Sequence, residues 1–314
     1  MFKLTVRGLL AHKIRFALTS FAVVLGVAFV VGSFVISDGL RSTFDEIVAD
    51  INADVDAEVR GVTDFDAGDQ APLIPIDEEI VGLVESADGV EAAVPVLTTF
   101  SIVPIRDDGE PLETAGSPII STNFDESSAS DVNIVDGIEP GPGEFITDID
   151  TADAEDFVVG NTYDLVTSSG RESFELVGTF RFGDDNVLAG ARLFVYDLGD
   201  LQRMSGLEGQ IQEIQVIAES GVSQAEVVES LTAVLPSDVE AVTGETATDE
   251  DQADFGEVVD IFGNVLLGFA GVALFVAAYL INNTFNIVLG QRVRELALLR
   301  AIGASARHCL LYTS

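Results

Sequence analysis

Residues 16–36 read FALTSFAVVLGVAFVVGSFVI and residues 261–281 read IFGNVLLGFAGVALFVAAYLI, and neither stretch holds a charged side chain. A helix of about 20 residues rises roughly 30 Å, the thickness of the hydrocarbon core of a bilayer. A buried helix of a soluble domain is rarely apolar around its whole circumference for that length. Both stretches therefore read as membrane spans. A cleaved signal peptide is the competing reading of the first. Its apolar core would be about 7–15 residues long and would close on small side chains, whereas Phe34, Val35 and Ile36 end this one. It reads as an uncleaved anchor. Within it Ala22/Gly26 and Ala28/Gly32 are small residues four apart, a spacing that lets a second helix approach closely. In the second span Asn264, near one end, is the one strongly polar side chain.

The charges fix the orientation. The chain has 15 lysines and arginines against 53 acids, a net charge of −38. Lys3, Arg7, Lys13 and Arg15 precede the first span, and Arg292, Arg294, Arg300 and Arg307 follow the second. Every acid except Glu295 lies within 38–260, where Arg41, Arg60, Arg106, Arg171, Arg181, Arg192 and Arg203 are the only bases. Basic flanks stay on the cytoplasmic side. The chain is thus expected to be a multi-pass protein of the plasma membrane, with both termini cytoplasmic and a large acidic domain outside. The expected divisions are a cytoplasmic amphipathic segment at 1–15, spans at 16–36 and 261–281, an outer domain at 37–257, and a cytoplasmic segment at 282–314. In the first of these, Phe2, Val6 and Leu9 share a helical face with Lys3 and Arg7 beside it, suited to lying along the inner membrane surface among the lipids.

So acidic a segment repels nucleic acid, whose phosphates need lysine and arginine. Its charge reads as a solvated surface that keeps an exposed domain soluble. Cys309 is the single cysteine, so no intrachain disulfide forms and the outer domain is held by its core alone. His12 and His308 are the only histidines, which removes a Ser-His-Asp triad or a histidine zinc site from the outer domain. No Walker lysine motif is present for ATP. Asp184-Asp185 and Asp249-Glu250-Asp251 are acid clusters without the spacing of a calcium loop. The sequence points to no enzyme, catalytic residue, metal or cofactor.

Helical and strand periods alternate through the outer domain. Residues 38–50 continue the first helix, with Leu40, Phe44, Ile47 and Val48 on one side. Residues 54–60 alternate as a strand, 77–86 read as a helix, and 90–105 are β-branched but broken by Pro95 and Pro104. Residues 123–143 are polar and turn-rich, ending in Pro140-Gly141-Pro142-Gly143. Strands are expected at 162–167, 172–180, 191–196, 211–218 and 239–242, and a helix at 223–235 with Ser223 as its N-cap and Pro236 as its stop. Residues 246–260 should form a helix continuous with the second span. The expected architecture is two transmembrane helices with helical stalks flanking an α+β domain of two subdomains, a β-rich segment being inserted into a β-α-β frame.

After the second span comes Asn282-Asn283-Thr284-Phe285-Asn286, then Gln291-Arg292-Val293-Arg294-Glu295-Leu296-Ala297-Leu298-Leu299-Arg300-Ala301-Ile302-Gly303-Ala304-Ser305. Charge anchoring alone requires neither Glu295 nor the Gly-Ala-Ser ending, and the apolar positions form no clean face. This run closely resembles the segment after the second membrane helix in MacB/FtsX-type permeases of ABC transporters. Residues 7–19 (RGLLAHKIRFALT) are similar to the start of the same family, and the outer domain resembles its periplasmic core domain. The resemblance implies a permease subunit, not itself an ATPase, working as a homodimer or heterodimer with a second permease and with a cytosolic ABC ATPase. It implies that Arg292, Arg294, Glu295 and Arg300 make polar contacts to that partner, while Leu296 and Leu299 fill apolar sockets. The outer domain would then move with the nucleotide cycle, in export or in mechanical transmission. The ending Arg307-His308-Cys309-Leu310-Leu311-Tyr312-Thr313-Ser314 departs from the family pattern, and a C-terminal truncation is expected. Two other readings fit the same topology: a two-span receptor with a truncated cytoplasmic output, and a non-transporting regulator of cell-wall hydrolases within the family.

Overall fold

A computed structural model of the chain describes residues 13–62, 74–106, 108–112, 118–125, 132–182 and 190–301. In chain order the elements are α1 (Lys13–Ile51), β1 (Ala57–Gly61), β2 (Ile76–Asp77), α2 (Ile80–Glu85), β3 (Val90–Val96), β4 (Thr98–Thr99), β5 (Val103–Pro104), β6 (Ile119–Asn123), β7 (Val132–Gly137), β8 (Glu144–Asp148), α3 (Ile149–Ala154), β9 (Thr162–Thr167), β10 (Gly170–Phe182), β11 (Arg192–Tyr196), α4 (Leu198–Ser205), β12 (Gln210–Ile211), β13 (Glu213–Ala218), α5 (Gln224–Val234), β14 (Val239–Thr243) and α6 (Gly244–Ala301). They divide into two units, Met1–Arg41 with Glu257–Ser314, and Ser42–Gly256. Two membrane helices thus flank an α+β domain. The expected surface helix around Phe2, Val6 and Leu9, the pair Asp184-Asp185 and the Gly303-Ala304-Ser305 ending lie outside the described residues.

In the first unit, α1 and α6 are long and apolar enough to cross a membrane, with mean hydropathy 1.6 in the most apolar 18-residue window of Val24–Ala49 and 2.2 in that of Gly244–Ile287. Only 11% of each apolar window is buried, so neither is the core helix of a soluble protein. Phe21, Phe34, Phe262, Phe269 and Phe275 stand exposed along them, as lipid-facing side chains would. Where the two helices meet, the side chains are small and recur at heptad spacing. Gly26 and Ser33 lie on α1, with Gly263, Ala270 and Ala277 on α6. A Cβ on Gly26 would sit 3.0 Å from Leu274 Cδ2, and one on Gly263 would sit 3.2 Å from Ser37 Oγ. Small residues let the backbones approach closely, which is how helices associate in lipid. Of the two small-residue pairs in the first span, Gly26 meets the neighbouring helix, whereas Ala28 is exposed and Gly32 faces open space. Arg41 and Asp260, 3.7 Å apart, add an exposed ion pair of little energetic weight.

The second unit has a frame and an insertion. The frame sheet runs β14-β1-β13-β3, every pair antiparallel. With α2 and α5 it follows the order β-α-β-β-α-β, the split βαβ arrangement. One face of this sheet is apolar: Ala57, Val59, Ile214 and Val216 pack with Val84, Val227 and Leu231 of the helices. Ser223 caps α5 as expected, in a reciprocal pair with Glu226. Ser223→Ala is expected to destabilise the domain by about 1 kcal/mol, read as an earlier urea midpoint at unchanged slope.

The insertion leaves the frame after β3 and returns at β13. Its eight-stranded sheet runs β4-β6-β11-β8-β10-β9-β5, with β7 also paired to β10. The run Leu193-Phe194-Val195-Tyr196 is buried on both faces, as a central strand must be. Phe194 and Tyr196 join one core with Phe145, Phe157, Tyr163, Phe174, Leu176 and Met204, while Leu193 and Val195 join the other with Ile146, Phe180 and Phe182. The two crossings are clasped together by side-chain amides. Asn123 Oδ1 accepts from Leu97 N at 2.8 Å and its Nδ2 donates to Pro95 O at 2.9 Å; Gln212 Oε1 accepts from Thr98 N at 2.8 Å.

Several expected boundaries are corrected. The 54–60 strand begins only at Ala57, and the 77–86 helix contracts to α2. The strand at 211–218 divides at Gln212, whose N–H turns to Val96 O at 2.9 Å. Pro95 does not break its strand: β3 is the edge of the frame sheet, where a missing N–H is tolerated. The polar stretch 123–143 contains β7, held by its pairing with β10.

Candidate functional site

The residues expected to meet a partner occupy the last turns of α6. Spacing along a helix puts positions 292, 295, 296 and 299 on one face, at i, i+3, i+4 and i+7. Position 294 lies off that face, position 300 borders it one turn beyond 296, and both arginines are exposed. Arg292, Glu295, Leu296 and Leu299 are thereby brought together in position with Arg300 at their edge, and Arg294 is not. Val293 and Leu298 are also exposed, leaving large apolar side chains beside the charges. Arg300 stands in the last described turn of α6. Asn286 Nδ2 donates to Asn282 Oδ1 at 3.5 Å one turn earlier.

A second charged site lies at the other end of α6, and sequence reasoning missed it. The face of the frame sheet opposite its helices carries Glu58 and Arg60 on β1, Glu213 and Gln215 on β13, and Glu240 on β14. Pairing sets Arg60 between Glu213 and Glu240. Its guanidinium reaches three carboxylates: Nη1 to Glu58 Oε1 at 3.5 Å, Nε to Glu240 Oε1 at 3.1 Å, and Nη2 to Glu250 Oε2 on α6 at 2.6 Å. Asp251 follows on α6 and accepts from Asn52 Nδ2 at 3.3 Å. Gln252 Nε2 donates to Asp45 O at 3.2 Å. One cation therefore joins β1, β14 and the start of α6. Burial opposes the charge on Arg60, but hydrogen bonds from its donors to Glu250 and Glu240 outweigh it and hold the guanidinium above its ordinary range. The available signal was Arg60 itself, one of seven bases in the outer segment, two residues from Glu58 on an alternating strand.

A shallow cavity of about 200 Å³ lies beside α3, lined by Asp148, Asp150, Thr151 and Arg192. Asp148 is already committed there, accepting from Thr151 N at 2.9 Å as the cap of α3 and from Leu193 N at 3.0 Å. Among the described residues, no group of three or more histidines, cysteines or acids is arranged to hold a metal ion.

Comparison with known proteins gives two family matches. The MacB-like periplasmic core domain matches residues 16–234, and the FtsX-like permease C-terminal matches residues 267–314. The periplasmic region of MacB from Actinobacillus actinomycetemcomitans is 11% identical with a TM-score of 0.48, covering 64% of this chain and 94% of that one. The extracellular domain of the noncanonic ABC-type transporter YknZ from Gram-positive bacteria is 13% identical with a TM-score of 0.44, covering 59% of this chain and 98% of that one. No curated protein matches the chain.

Proposed function

The chain belongs to the family of the MacB-like periplasmic core domain, with an FtsX-like permease segment behind it, and from that membership we propose that it couples a cytosolic ABC ATPase to movements of its outer domain. The observation that carries this reading is the FtsX-like match over 267–314, which takes in the end of α6 and all six candidate contact residues. Arg292 and Glu295 supply opposite charges on one helical face, with Leu296 and Leu299 beside them. Such a face suits a partner that offers complementary charge around an apolar pocket. Arg300 borders that face, while Arg294, set to the other side, can reach a second partner surface or the headgroups of the inner leaflet. Both termini are cytoplasmic in this reading, and the chain works as a homodimer or with a second permease. The chain has no phosphate-binding lysine loop, and in this reading ATP hydrolysis belongs to the separate subunit.

Purification of the full chain in detergent, with Glu295 intact or changed to lysine, tests the coupling. The unaltered chain should carry an ABC ATPase with it, and Glu295→Lys should reduce capture at least tenfold. Glu229→Lys, on the exposed side of α5, should leave capture unchanged. Absence of an ATPase from the unaltered chain overturns the reading in favour of a two-span receptor.

A further inference from the structure

The carboxylates around Arg60 outnumber the cations available to them. From β1 comes Glu58, from β13 Glu213, from β14 Glu240, and from α6 Glu250 and Asp251 with Asp254 beyond. Among the described residues Arg60 is the only base there, and Asn52 and Gln215 are the neutral polar neighbours. Val94 and Val96, which pair with Gln215 and Glu213 from the other side, bring no charge. Glu58 is buried and Glu213 half-buried, so neither can turn fully to water. The site thus holds more negative charge than one guanidinium can neutralise, and the surplus sits where α6 meets the sheet.

We propose that Arg60 and the carboxylates around it form a proton-dependent latch that fastens the first turns of α6 to the frame sheet and loosens as pH rises from neutral into the alkaline range. With Glu58 and Glu213 protonated, Arg60 is left to Glu240 and Glu250, and the link to α6 is strong. When both ionise, they compete with Glu250 for the guanidinium and repel it and Asp251 directly. The titration falls in a useful range. Desolvation, only partly offset by Arg60, pushes Glu58 up to about 7. Desolvation and then the charge of Glu58 push Glu213 up to about 8. Both are raised above the ordinary carboxylate value, so their contribution is complete in acid and is lost as pH climbs through 7 to 8. The two act as one coupled pair. This inference requires no ATPase and stands apart from the proposed coupling.

Hydrogen exchange of the full chain in lipid nanodiscs, corrected for the intrinsic pH dependence of exchange, tests it. Amides at 244–256 should lose at least tenfold protection between pH 6 and pH 9, with a midpoint near 7 to 8, while those of α5 stay protected. The double variant Glu58→Gln, Glu213→Gln should keep 244–256 protected at both values. Glu250→Gln, altering only a half-exposed side chain on α6, should already at pH 6 show the exchange of the unaltered chain at pH 9. Equal protection at both pH values, or a parallel loss in α5, overturns the latch. So does a Glu250→Gln chain that exchanges like the unaltered one.

Discussion

Phe145→Ala is expected to destabilise the outer domain by about 4 kcal/mol. Phe145 stands on β8, fully buried, at the centre of an aromatic cluster. Its ring lies 5.8 Å from that of Tyr196 in a stacked arrangement, 6.2 Å from Tyr163 edge-on, and 6.1 Å from Phe194. Tyr163 in turn meets Phe157 at 4.6 Å, and Tyr196 meets Phe174 at 5.9 Å. Removing the central ring leaves a cavity bordered by strands on one side and short helices on the other, which cannot close without breaking register. The lost ring pairs are part of that total, each contributing up to roughly 1 kcal/mol. Phe145→Leu, which retains most of the volume, should lose less than half as much. Two of the four tyrosines of the chain flank Phe145, and there is no tryptophan. Near-ultraviolet circular dichroism of the full chain during a urea titration therefore reads this cluster directly. Amide exchange should separate the lobe from the frame, because the frame packs its own core around Ile214, Val216 and Leu231. A loss below about 1 kcal/mol would mean that the cluster tolerates a void and that its tight aromatic packing is not what holds the lobe.

Each part of this architecture was legible to the degree that its residues carry information on their own. The spans were plain because the absence of charge over two long stretches has one physical reading. The central strand Leu193-Phe194-Val195-Tyr196 and helix α5 were plain for similar reasons: an unbroken apolar run in one, a serine cap and a proline stop in the other. Helices α3 and α4 were not expected, although Asp148 and Asp197 cap them. In a segment where aspartate and glutamate are everywhere, one more acid does not announce a cap. The strand β7 was hidden for another reason. Its sequence, Val-Asn-Ile-Val-Asp-Gly, has no strong alternation, and it is a strand because β10 pairs with it through a shifted register. Long-range pairing of this kind leaves little mark on the local sequence.

The candidate contact residues at the end of α6 show the same division. Their motif was visible as a string, and helical spacing then sorted them into one shared face, bordered by Arg300, and one outlying arginine, Arg294. The Arg60 site shows the converse. Its charge balance could be counted from the sequence, but no spacing rule brings Glu58, Glu213, Glu240 and Glu250 to one point. That required the strand order β14-β1-β13 and the turn that carries the chain from β14 into α6.

That turn is the subject of the second large effect. Gly244→Ala is expected to destabilise the outer domain by about 3 kcal/mol, because there is no room for a methyl group. A Cβ at Gly244 would overlap the carbonyl oxygen and carbon of Val55 and crowd the carbonyl carbon of Asp56. None of these backbone atoms can step aside. Gly244 N donates to Asp56 O at 2.9 Å, Asp56 N donates to Val216 O at 2.9 Å, and Asp56 Oδ2 accepts from Ala218 N at 2.9 Å. The segment before β1 is thus held against β13 while the last residue of β14 pairs with Ala57. A methyl group must push α6 away from β1, which also draws Glu250 from Arg60. The cost should therefore appear both as lower stability in urea and as faster exchange at 244–256 near neutral pH. Gly82→Ala is the control of opposite sign. Gly82 lies within α2 with open space where its Cβ would stand, so alanine there should stabilise by about 0.5 kcal/mol. If the two alanines behave alike, backbone contact at the head of α6 does not limit stability, and the junction with the frame is looser than its hydrogen bonds imply.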